Sequence, residues 1–144
     1  ETGIIDLTCG MTGSAIPVPQ AVKQALDAGV PLERLTLSSD GNGSMPKFNE
    51  NNELIGLTAA APRYLYEEML SIVKAGVLPF DKALQLITCN VADALKLEDK
   101  GRIAVGKDAD LIVWNDDLTL NKVFARGRLM VDEGQAVVKG TFEN

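Results

Sequence analysis

The spacing of apolar and polar positions changes character along this chain, and the change falls near residue 100. Ile4-Ile5-Asp6-Leu7-Thr8 is a short, nearly continuous apolar run, as expected of a buried parallel strand. Pro17 and Pro19 then open a helix in which Val18, Ala21, Val22, Ala25 and Leu26 share one face of a 3.6-residue period, and Gly29 stops it. Arg34-Leu35-Thr36-Leu37-Ser38 reads as a second strand, so strand, helix and strand form a βαβ unit with parallel strands and a right-handed crossover. Residues 41–62, rich in Gly, Asn and Pro, read as a long irregular segment. Loops of about that length inside a compact domain serve more often as lids or binding loops than as spacers.

Apolar positions at Leu65, Met69, Ile72 and Val73 predict a helix from Tyr64 to Ala75, ended by Gly76. Asp81 is placed to cap the next helix, which carries Ala83, Leu84 and Ile87, and Thr88 or Asn90 restarts or continues it towards Leu95. Beyond Gly101 the runs shorten to Leu111–Trp114, Lys122–Ala125, Arg128–Val131 and Ala136–Val138. Turn formers separate them at Asn115-Asp116-Asp117, Arg126-Gly127 and Asp132-Glu133-Gly134. The expected organisation is an α/β part over residues 1–100 and an antiparallel β part over residues 101–144.

Composition narrows the chemistry. At 144 residues, 46% hydrophobic and 24% charged, the chain suits a folded globular body. No apolar run approaches the length of a membrane span, and the first ten residues lack the charged start and apolar centre of a signal peptide. A chain that enters a strand almost at once, without an initiator Met, reads as processed or truncated. The net charge of −6 and scattered basic residues argue against nucleic acid and anionic membrane as partners. Cys9 and Cys89 lack CxxC spacing and read as free thiols in a reducing cytoplasm. There is no histidine, which excludes Ser-His-Asp and Cys-His catalysis within this chain and removes the usual zinc ligands.

One segment concentrates candidate chemistry. The second strand exits into Ser38-Ser39-Asp40-Gly41-Asn42-Gly43-Ser44. Asp40, Asn42 and Ser44 begin an EF-hand spacing, but Met45 stands where glycine is required and Asn51 where glutamate is required. Gly41 and Gly43 begin a dinucleotide fingerprint that fails at Pro46. Parallel α/β folds bind ligands at the carboxyl ends of their strands, where Asp40 sits. Gly41 and Gly43 allow close backbone approach, while Ser44 and the loop amides suit an anion such as a substrate carboxylate. A turn capped by the Asp40 carboxylate is the competing explanation, and local sequence leaves both open.

Three further motifs carry a resemblance. Thr88-Cys89-Asn90-Val91-Ala92 through Leu95 has the form TxNxAxxL; residues 101–113 read GxIxxGxDADLIV; Lys122–Gly134 reads KVFARGRLMVDEG. Their order and spacing resemble the C-terminal region of metal-dependent amidohydrolases, and LTLSSDGNGSMPKF with ARGRLMVDEGQAVVKGTFEN is similar to the isoaspartyl dipeptidases among them. The resemblance implies the last two strands of a (β/α)₈ barrel with their helices, followed by antiparallel strands of a small β-sandwich domain. A whole barrel takes about 250 residues, so the chain is expected to be a C-terminal fragment. Such enzymes hold two zinc ions through histidines and a carboxylated lysine on earlier strands, none of which matches here. What carries over is Asp40, as zinc contact and general base, with Ser44 and Gly43 at the substrate. Asp40 would take the proton of a zinc-activated water and pass it to the departing amine of a β-aspartyl dipeptide. Dihydroorotase-like or deacetylase-like activity and a non-catalytic assembly module are the alternatives. A fragment would be inactive by itself, and the open edges of its two strands predict a homo-oligomer or a partner chain.

Overall fold

The computed structural model describes residues 3–10 and 16–140. Their backbone divides into two compact units, one ending at Leu95 and the other starting at Lys96.

In the first unit β1 (Ile5–Thr8) and β2 (Leu35–Ser38) pair in parallel, with Ile5 opposite Leu35 and Thr8 opposite Ser38. Helix α1 (Val18–Asp27) connects them, followed by a single 3₁₀ turn at Leu32–Arg34. Alternation sends Leu7, Leu35 and Leu37 into the helix layer, where they meet Val22 of α1, Met69 and Ile72 of α2 (Tyr64–Lys74), and Ala83 of α3 (Phe80–Gln85). Leu35, Met69, Ile72 and Leu86 are fully buried, each contributing roughly 1.5–3 kcal/mol of transfer free energy. Asp81 does not cap α3: Pro79 precedes the helix and Asp81 lies in its first turn, where the helix dipole still favours a carboxylate. Helix α4 (Cys89–Leu95) closes the unit.

Residues 41–62 are not an irregular loop. They form an antiparallel hairpin of β3 (Ser44–Phe48) and β4 (Leu54–Ala59), with Ser44 opposite Ala59 and a register shift after Lys47. The turn is built by Asn49, whose Oδ1 accepts the amides of Asn51 and Glu53, and by Asn52 with φ 60°. Pro46 is tolerated because a two-stranded ribbon has only edge strands.

On the side of β2 that faces away from β1, the Leu37 amide donates to Leu86 O at 3.1 Å and Asn90 Nδ2 donates to Leu35 O at 2.9 Å.

The second unit is a four-stranded antiparallel meander of β5 (Leu111–Trp114), β6 (Leu120–Ala125), β7 (Arg128–Asp132) and β8 (Gln135–Ala136). Arg126-Gly127 and Glu133-Gly134 all have positive φ, as two-residue hairpins of the right-handed sheet require. Lys100 Nζ bridges Asp108 and Asp110 at 2.6 and 2.5 Å, while Asp110 Oδ1 accepts the Arg126 amide at 2.8 Å. The DAD of the glycine-rich motif therefore pins residue 100 to the β6–β7 turn. Among the described residues this unit contains one sheet, and Ile112 and Val113 remain 41% and 46% exposed, so no second sheet covers them within the unit.

Candidate functional site

Asp40 stands two residues past β2, exposed, with φ 47°, and Asn42 is also left-handed at φ 66°. Two non-glycine residues of this kind on either side of Gly41 make a sharp reversal that the surroundings must hold. Gly43 donates its amide to Asp40 O at 2.7 Å. Ala60, just beyond β4 and buried, completes the clasp: its carbonyl accepts the Asn42 amide at 2.9 Å and its amide donates to Gly43 O at 2.8 Å. The hairpin thus begins and ends on the Asp40 turn and fixes it from both sides.

These bonds bring Asp40, Gly43 and Ser44 together in one turn and limit what each offers. The amides of Asn42 and Gly43 are already spent on protein carbonyls, so neither is free to bind a carboxylate. Gly43 contributes a missing side chain instead, because a β-carbon there would lie 2.8 Å from Asp40 O. Ser44 begins β3 and is exposed. Gly41 leaves room for Pro62 and Ser39, whose nearest atoms would sit 3.2 and 3.3 Å from an added β-carbon.

Behind the turn, Asp6 spans the two parallel strands. Its carboxylate accepts Thr36 Oγ1 at 2.7 Å and Ser38 Oγ at 2.6 Å, on the face opposite the apolar core. Sequence reading overlooked this bridge, although a carboxylate inside an apolar strand was a legible sign. Ala60 carried no local sign at all.

Cys9, Tyr64, Tyr66 and Arg63 have roles in packing and surface pairing. Cys9 is completely buried in the core; burial first, and then the Glu68 and Asp6 carboxylates, push its thiol up to about 12, so it is a neutral packing group. Tyr64 lies over Gly10, and Tyr66 packs against the same core. Arg63 pairs with Glu67 at 3.3 Å and sits 5.8 Å from the Tyr64 ring centroid. No three His, Cys, Asp or Glu side chains converge on a possible metal position among the described residues. No helix among them is long and apolar enough to cross a membrane.

Comparison with known proteins agrees with this architecture. The chain is 28% identical over 104 residues to adenine deaminase 1 of Carboxydothermus hydrogenoformans, covering 71% of this chain and 17% of that protein. It is 34% identical over 112 residues to the imidazolonepropionase of Anaeromyxobacter sp. strain K, covering 78% of this chain and 22% of that protein. The crystal structure of β-aspartyl dipeptidase from Fervidobacterium islandicum AW-1, in complex with β-Asp-Leu, superposes with a TM-score of 0.80 at 31% identity. That match covers 96% of this chain and 36% of the dipeptidase. The fold is accordingly that of the C-terminal part of a (β/α)₈ amidohydrolase: two parallel barrel strands with their helices, then antiparallel strands of the small β-domain. The characteristic sequence profile of the amidohydrolase family matches residues 17–134, across both units, and the chain belongs to that family.

Proposed function

We propose that this chain forms part of a hydrolase acting on β-aspartyl (isoaspartyl) dipeptides, with Asp40 as its proton carrier. The observation that carries the reading is the clasped turn at the exit of β2: it presents one exposed carboxylate beside Ser44, in a fold similar to a β-aspartyl dipeptidase. Asp40 takes a proton from the attacking water and returns it to the leaving amine. Ser44 Oγ donates to the α-carboxylate of the dipeptide, and Gly43 keeps the turn tight enough for both to face the same ligand.

The reading includes two zinc ions, which would polarise the scissile carbonyl and acidify the water. The residues present do not make such a centre. There is no histidine, and Asp40 is one carboxylate where each zinc takes about four ligands. The other ligands must come from polypeptide outside the described residues, and this chain by itself is expected to hydrolyse nothing. Self-association and a cytoplasmic site, which suits the free thiols, belong to the same proposal.

The test is hydrolysis of β-Asp-Leu by the protein that carries this chain. Asp40→Asn should lower kcat by about 10²- to 10⁴-fold, and Ser44→Ala should raise KM more than it lowers kcat. Unchanged turnover in Asp40→Asn would end the assignment of Asp40. A wild-type protein inert towards β-Asp-Leu but active in adenine deaminase or imidazolonepropionase assays would favour the second reading, which rests on the sequence relatives.

A further inference from the structure

Of the asparagines in this chain, only Asn42 is followed by glycine. That pair has a chemistry of its own. No side chain on Gly43 blocks the approach, so its backbone nitrogen can attack the Asn42 carboxamide. The bond between Gly43 N and Asn42 Cγ forms, the Asn42 Cγ–Nδ2 bond breaks, and ammonia leaves with the proton that the Gly43 nitrogen has lost. Water then adds to either carbonyl of the cyclic imide and reopens it, as aspartate or as a β-aspartyl linkage. Water is consumed and ammonia released; nothing is oxidised or reduced.

The closed turn opposes this reaction at the atoms that must move. Attack requires the Gly43 nitrogen to give up its hydrogen, but that N–H donates to Asp40 O at 2.7 Å. The Asn42 amide is held by Ala60 O at 2.9 Å, and Gly43 O by the Ala60 amide at 2.8 Å, so the backbone is pinned on both sides of the reacting pair. Ala60 is itself buried and makes a firm anchor. Asn42, in contrast, is exposed, with φ 66°, so water reaches it. Hydrogen bonding of the attacking nitrogen, rather than burial of the carboxamide, keeps Asn42 intact.

We infer that Asn42 is a modification site, a deamidation site beside Asp40 that the Ala60 clasp keeps unreactive. Each local opening of the turn frees the pair to react. Conversion sets a second carboxylate two residues from Asp40. In its β-aspartyl form it also inserts an extra main-chain carbon between the amides of residue 42 and Gly43, and the clasp cannot re-form in register. The inference rests on the turn alone and stands whatever reaction Asp40 performs.

The test holds the protein that carries this chain at mildly alkaline pH, native and unfolded in urea. It follows the amide-to-acid mass gain of the tryptic peptide 35–47, in which Asn42 is the only carboxamide. Isomerisation of Asp40 leaves that mass unchanged. Unfolded Asn42 should convert faster than Asn49, Asn51 and Asn52, whose following residues carry side chains. Folding should slow Asn42 at least roughly tenfold, the factor expected when about one hydrogen bond must break first. Hydrogen exchange at the Gly43 amide should show protection of the same order, because one opening frees both. Equal conversion in native and unfolded protein overturns the inference, as does an unfolded chain whose Asn42 stays intact. A slow native Asn42 beside an unprotected Gly43 amide overturns it too, because the clasp is then not the cause.

Discussion

The amide of Gly43 donates to the carbonyl of Asp40 at 2.7 Å, and a β-carbon on Gly43 would lie 2.8 Å from that same oxygen. Position 43 is thus tied to the candidate carboxylate through its backbone. Gly43→Ala must open the turn or break its closing bond, at a cost of about 1–3 kcal/mol. Thermal unfolding should show a lowered Tm, and the Gly43–Asp40 bond should be lost or lengthened in a structure of the variant. An unchanged Tm would mean that the turn is more pliable than its clasp implies.

Gly10 and Tyr64 make a second contact of this kind. Gly10 has φ +75°, and a β-carbon there would fall 2.3 Å from Cδ2 of the Tyr64 ring. Gly10→Ala therefore meets both backbone strain and a clash, and should destabilise the chain by about 2–4 kcal/mol. Removing the ring relieves only the clash. A Gly10→Ala, Tyr64→Ala double-mutant cycle should give a coupling of roughly 1–3 kcal/mol, and additive effects in denaturant titration would contradict the packing described.

Cys9 and Cys89 should differ in reactivity. A thiol-specific reagent near neutral pH should label Cys89, which is partly exposed, and spare Cys9 until the chain unfolds. The Cys9 thiol is raised from 9.0 to about 12 in the folded chain, so its neutral form favours folding fully below pH 9. That contribution is lost as the pH climbs from 9 towards 12, because the unfolded thiol ionises first. Cys9→Ala should flatten the alkaline fall in stability seen by circular dichroism.

The second unit should respond to pH at both ends. Hydrogen bonds to Lys100 hold Asp108 and Asp110 below their usual value of 3.8, and hydrogen bonds to the same two carboxylates hold Lys100 above 10.5. Depressed carboxylates favour folding above about pH 4 and lose that effect as the pH falls through their folded values. A raised ammonium favours folding below 10.5 and loses that effect as the pH rises through its folded value. Exchange at the Arg126 amide, held by Asp110, should be slowest relative to its intrinsic rate between those limits. Asp110→Asn, which keeps an acceptor oxygen but no charge, should remove most of the acid dependence.

Some misreadings were avoidable. Met45–Phe48 and Leu54–Ala59 flank a cluster of Asn and Glu, which is a hairpin pattern, but the surrounding Gly, Asn and Pro suggested a loop. Asp81 stood at a plausible cap, yet the helix had already begun behind Pro79, whose fixed φ suits the residue before a first turn. Other features had no local sign. Nothing around Ala60 announces that its peptide group clasps a turn almost twenty residues earlier, and nothing near Asn90 points to the carbonyls of Leu32 and Leu35.

Periodicity and turn chemistry determined the parallel βαβ start, the helices that follow and the antiparallel finish, because which side chains face a core is a local property of spacing. Absence of histidine likewise excluded Ser-His-Asp and Cys-His catalysis by the residues of this chain alone. Tertiary structure alone decided which backbone groups were already spent: the amides of Asn42 and Gly43, and the Leu35 carbonyl and Leu37 amide of β2. Hydrogen-bond partners of that kind come from residues distant in the chain, and local sequence carries no record of them.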